Sequence, residues 1–153
     1  GSSPDKPKDI AGYKCTKVIL SGGDGTYGPN EKPYLDYYKD MVNGGARGGA
    51  FIASDHFFMN NIRGMGTPMP PATDLGHFHV DYDEFWFIME GKIDYQIEGL
   101  PAPFTAEAGD VVTAAQGRWH RASYSAGQMD TRVAINPFPQ GQHNFTVNSG
   151  GRQ

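Results

Sequence analysis

The stretch HFHVDYDEFWFIMEG, residues 77–91, decides how this chain is read. It sets His77 and His79 one residue apart, then Glu84, then Gly91. On a helix successive residues turn by about 100°, so the two histidines would lie on nearly opposite sides; on a strand they point the same way, about 7 Å apart. Two imidazoles serving one ion therefore require a strand. Glu84 has the wrong parity to share that face if the strand simply ran on, but Asp81, Tyr82 and Asp83 are turn formers that can reset the register. A strand, a tight turn and a second strand then aim Glu84 back at the histidines.

Downstream, AGDVVTAAQGRWHRA (108–122) supplies His120 at the start of a strand that follows a glycine-bounded turn. Three imidazoles and one carboxylate converge if that strand lies beside the one carrying His77 and His79. Mixed nitrogen and oxygen ligands suit Fe(II), Mn(II), Co(II), Ni(II), Cu(II) or Zn(II), and a six-coordinate ion would keep two positions for water or substrate.

These residues carry a family resemblance. His77-x-His79, four residues, Glu84, six residues and Gly91 resemble the first signature of the cupin superfamily. Gly109, seven residues, Gly117, two residues and His120 resemble the second, with 17 residues between Gly91 and Gly109. The resemblance covers residues 76 to 124 and implies an all-β fold, a double-stranded β-helix or jelly-roll barrel. It also implies one divalent transition metal, Fe, Mn, Ni, Cu or Zn, held by His77, His79, Glu84 and His120. Ala115 stands where the family usually has proline, Tyr124 where it often has asparagine, and Pro71 where a glycine is usual before the first histidine.

The rest of the chain agrees with a small β barrel. At 153 residues it is long enough for one domain. Twenty-one glycines and 11 prolines break the apolar residues into short pieces, as in all-β sandwiches and barrels. Residues 1–11 read as a flexible leader and 12–148 as a single domain. YKCTKVIL (13–20) reads as a first strand, and EKPYLDYYKDMV (31–42) as a short helix, with Leu35, Tyr38 and Val42 on one face. Residues 50–65 read as one or two strands and 66–76 as a proline-rich loop. Short strands are expected at 76–80, 84–90, 92–98, 103–105, 110–114, 118–125 and 131–136.

The net charge of −4, with basic residues scattered singly, gives no surface for nucleic acid. No apolar run approaches the roughly 18 residues needed to span a bilayer, so no membrane partner is expected. The single cysteine, Cys15, has no second thiol with which to pair or to bind metal. The chain opens on GSSPDKPKD without a methionine, which looks like a tag remnant joined to a polar leader. The compartment stays open between the cytoplasm and, if a signal peptide was trimmed, the periplasm or exterior.

Trp86 shares the inward face with Glu84, and Tyr95 follows Gly91 on the next strand; both are candidate substrate-binding walls. Arg118 and Tyr124 have the parity of His120 and are candidate catalytic groups beside the metal. Tyr95, Glu90 and His143 are further candidates for a general acid or base. A lone histidine is usually structural, and that reading is preferred for His56 and His143. An open metal position next to an aromatic interior favours an enzyme acting on a small organic substrate, a dioxygenase first, a lyase or isomerase next. The alternative is a binding protein in which the metal anchors a sugar or an organic acid. A homodimer is expected, because an uncovered N-terminal edge strand invites association.

Overall fold

The run EFWFIME (84–90) is apolar at both parities, so burial rather than polarity distinguishes its two faces. In the computed structural model Glu84, Trp86 and Ile88 turn inward, whereas Phe85, Phe87 and Met89 face out. KIDYQI (92–97) alternates more plainly, with Ile93, Tyr95 and Ile97 buried. The structure describes residues 19–20, 43, 48–53, 58–136 and 143–146. The expected leader and the expected helix over 31–42 lie outside these residues, as do Cys15 and His56.

Among the described residues eleven strands follow one another: β1 (Ile19–Leu20), β2 (Gly48–Ala53), β3 (Phe58–Gly64), β4 (His77–Phe78), β5 (Glu84–Glu90), β6 (Lys92–Ile97), β7 (Phe104–Glu107), β8 (Val111–Ala114), β9 (His120–Tyr124), β10 (Asp130–Asn136) and β11 (Asn144–Phe145). They form two antiparallel sheets, in the orders β1-β2-β3-β10-β5-β8 and β11-β4-β9-β6-β7. This is the all-β jelly-roll expected from the sequence. The segment expected at 76–80 is only two residues of strand, and β11 has no counterpart among the expected strands.

The core lies between the sheets. Trp86, Ile88, Val112, Ala114 and Ala134 meet Ile93, Tyr95, Ile97, Ala106 and Ala122. Fully burying a large apolar side chain contributes roughly 1.5–3 kcal/mol, so Trp86, Ile88 and Ile93 are the main anchors.

Gly91 joins β5 to β6 in a turn that no other residue fits. Its φ is +75°, and a Cβ there would sit 1.9 Å from Asp130 Oδ1. That carboxylate accepts the Lys92 N–H at 2.9 Å and, through Oδ2, the Ser125 N–H. The first glycine of the motif therefore lets a buried aspartate tie β6, β9 and β10 together.

Candidate metal centre

Two backbone arrangements bring the separate signature segments to one place. His77 of β4 lies opposite His120 of β9. This approach depends on Gly76, with φ +78°, where a Cβ would meet the His120 carbonyl oxygen at 2.2 Å. Farther along, the Gly117 N–H donates to the His79 carbonyl at 2.7 Å, and the Gln116 N–H to Asp83 Oδ1 at 2.7 Å. The turn of the second segment is thus hydrogen-bonded to the turn of the first.

His77, His79, Glu84 and His120 are 2–5% exposed, and their ligand-capable atoms all lie within 4.8 Å of one another. Glu84 Oε2 is 2.8 Å from His79 Nε2 and 3.2 Å from His120 Nε2. His120 Nε2 is 2.9 Å from His77 Nε2. Each imidazole thus turns Nε2 toward a common point.

The outer nitrogens show why. His120 Nδ1 lies 3.2 Å from the Arg118 carbonyl, which can only accept, so Nδ1 donates there and the bond sets the ring's orientation. His79 Nδ1 lies 2.9 Å from the Tyr82 hydroxyl, with the two rings stacked at 4.6 Å. Three ring nitrogens and a carboxylate oxygen are thus gathered at separations that hydrogen bonds among them span and that one shared cation could replace. This donor set fits a divalent transition metal.

Burial, then the neighbouring His120 and His143, hold His77 down to about 2, so the ring stays neutral. Burial works against the Glu84 charge, but hydrogen bonds with His120 and His79 outweigh it and keep the carboxyl well below the usual range. Burial, Glu84 and Asp81 push the Tyr82 phenol up, so it remains a neutral partner for His79. The cluster therefore holds at least one neutral imidazole, His77, and one anion, Glu84.

The other expected residues divide. Trp86 and Tyr95 are each 1% exposed; the Trp86 ring is 4.9 Å from His120 and 5.3 Å from Tyr95. Arg118 is not beside the cluster. It precedes β9 in a turn, where strand parity does not apply, and its exposed side chain lines an outer groove with Leu100 and Phe104 while only its carbonyl reaches His120. Tyr124 does point inward, but four residues along β9 place it about 13 Å from His120. There it packs on Gly64 and lies under Arg132.

Of the acid or base candidates, Glu90 is half-buried at the end of β5, paired with Arg63 at 3.4 Å and accepting from the Thr131 hydroxyl at 2.9 Å, and Tyr95 accepts a hydrogen bond from Arg132. His143 is the one against the cluster, its ring 4.4 Å from His77 and 5.1 Å from His79. Two residues escape the sequence reading altogether. Tyr82 reads as a turn former, yet it is 6% exposed and orients His79. Arg132, inside the expected strand 131–136, is 7% exposed and reaches over Trp86, Tyr95 and Tyr124.

No protein-family model matches the sequence, and no curated protein matches it. Similar folds occur among solved structures. BH2720 of Bacillus halodurans is 19% identical over 77% of this chain and 89% of its own, with a TM-score of 0.57. Oxalate decarboxylase of Bacillus subtilis is 16% identical over 64% of this chain and 27% of its own, with a TM-score of 0.52. A cupin-2 domain protein of Shewanella frigidimarina is 19% identical over 54% of this chain and 72% of its own, with a TM-score of 0.44. With two antiparallel sheets closed on one core and both signature segments meeting at one histidine–glutamate cluster, the chain has the cupin fold.

Proposed function

We propose that this protein is a metal-dependent cupin enzyme acting on a small organic substrate, with a dioxygenase-type oxidation favoured. What carries this reading is the inward convergence of His77, His79 and His120 Nε2 with Glu84 Oε2. A divalent transition metal held by those four would supply Lewis acidity toward a chelated oxygen and, if it is iron, redox chemistry with dioxygen. The remaining work falls to the chain. Tyr82 and the Arg118 carbonyl fix the ring orientations of His79 and His120. Trp86 walls the interior side and excludes water.

The alternative is a binding protein with the metal as anchor. A group able to move a proton beside the ligands separates the two, and half-buried His143 against His77 supplies one. The resemblance in fold to an oxalate decarboxylase is compatible with either reading.

The test is elemental analysis of protein purified without chelator, beside a His120→Ala variant. One equivalent of Fe, Mn, Ni, Cu or Zn, lost in the variant, is the expected result. Iron would lead to oxygen-uptake assays with phenols and diketones. Protein that carries no metal and refuses added metal would sink the enzyme reading.

A further inference from the structure

Two arginines are buried in the described barrel, and their surroundings differ. Arg121, 8% exposed, lies on the outer face of β9 and donates to the carbonyls of Pro70, Pro71 and Asp74 and to Gln96 Oε1. It is fully occupied in clamping the 70–74 loop. Arg132, 7% exposed, projects from β10 into the barrel and, among the described residues, makes one hydrogen bond, from Nη1 to Tyr95 Oη at 3.2 Å. Among the described residues no carboxylate lies within ion-pair distance of it, and its Nε has no partner.

A guanidinium carries five N–H donors, and burying it without an anion is costly. The polar groups around it are unmatched in the same sense. Its centre is 5.3 Å from the Trp86 ring and 5.7 Å from the Tyr124 ring. Trp86 Nε1 and the Tyr124 hydroxyl are both buried and without a hydrogen-bond partner. Each of these groups has an unused proton, so an acceptor placed among them would satisfy several donors at once. A planar fork of donors matches a carboxylate in shape and charge. Trp86, beside both His120 and Arg132, connects this place to the histidine–glutamate cluster.

We propose that Arg132, with Trp86 Nε1 and the Tyr124 hydroxyl, receives the carboxylate of a small organic acid, which makes such acids the substrate class of this protein. The inference rests on the metal-centre reading for the reacting end of the substrate and on Arg132 for its carboxylate.

The test is isothermal titration calorimetry on the metal-loaded full chain with three pairs: glycolate and glycolamide, succinate and succinamide, benzoate and benzamide. At least one acid should bind better than its amide, and Arg132→Met should weaken that acid by roughly 10- to 100-fold. Metal content should be unchanged in the variant and its melting temperature no lower than that of the wild type, because an unpaired buried charge has been removed. Tyr124→Phe, which deletes only a hydroxyl, should weaken the acid and spare the amide. No preference for acid in any pair, or an unchanged acid affinity in Arg132→Met, overturns the proposal. So does an Arg132→Met protein that no longer folds, since the guanidinium is then structural. Loss of the metal-centre reading looks different: the protein takes up no metal, yet the acid preference and its dependence on Arg132 persist.

Discussion

The Tyr82 hydroxyl lies 2.9 Å from His79 Nδ1 and its ring stacks on the imidazole at 4.6 Å. A side chain three residues along a turn therefore fixes the orientation of a candidate ligand ring. Partners of this kind typically change metal affinity 10- to 100-fold. Tyr82→Phe keeps the stacking and removes the oxygen. We expect a folded protein whose metal affinity, measured by competition with a chromophoric chelator, falls by about that factor; unchanged affinity would leave Tyr82 a packing residue.

Acid should weaken the metal-free barrel through the same cluster. An unfolded chain protonates His77 near 6.5, whereas burial and the neighbouring imidazoles hold the folded ring down to about 2. Between those values the unfolded state binds more protons, so stability falls as the pH drops from about 6.5. Glu84, also lowered on folding, adds to the loss at more acidic pH. The melting temperature of metal-free protein should be lower at pH 5 than at pH 7, and His77→Gln should flatten that dependence.

Glycines with the same backbone angle should differ sharply in cost. Gly117 has φ +75° with nothing within 4 Å of an added methyl, so Gly117→Ala meets only backbone strain, about 1 kcal/mol. Gly76 has φ +78°, but a methyl there would strike the His120 carbonyl at 2.2 Å. Gly76→Ala should cost roughly 3 kcal/mol or more and separate His77 from His120. Chemical denaturation of both variants, with metal uptake as a second readout, decides the point.

The two buried arginines provide an internal control. Arg121→Met strands the carbonyls of Pro70 and Asp74, each of which costs about 1–3 kcal/mol when left unpaired, whereas the Pro71 carbonyl keeps the Asp74 N–H. Thermal unfolding should show a large destabilisation for Arg121→Met and none for Arg132→Met. Equal losses would show that both arginines serve the fold.

The barrel and the four clustered residues are legible in the sequence because the information is local: spacing within each segment sets which side chains share a face. The strand expected over 84–90 has those ends in the structure. Arg118 is misplaced by the sequence because strand parity does not extend past the start of β9 into the turn before it. Tyr82 is hidden by its neighbours, since Asp-Tyr-Asp reads as turn chemistry whatever the phenol does. Arg132 sits in DTRVAIN, where nothing in the spacing marks it; its significance comes from Trp86, Tyr95 and Tyr124, brought over it by three other strands. His143 belongs to a segment joined to β4 by a two-residue ladder, a pairing too short to leave a periodic trace.

That short ladder has a kinetic side. β4 is two residues long, registered to β9 through one residue pair and to β11 through two. The strand bearing His77 is therefore held by less backbone than any central strand of the other sheet, and local opening there needs few bonds to break. An ion shared by His77, His79, Glu84 and His120 would close this end as a clasp, so the amides of 77–79 and 144–146 should exchange with deuterium within seconds to minutes in metal-free protein and slow markedly on loading. The lifetime of the protein against proteases would then follow its metal supply.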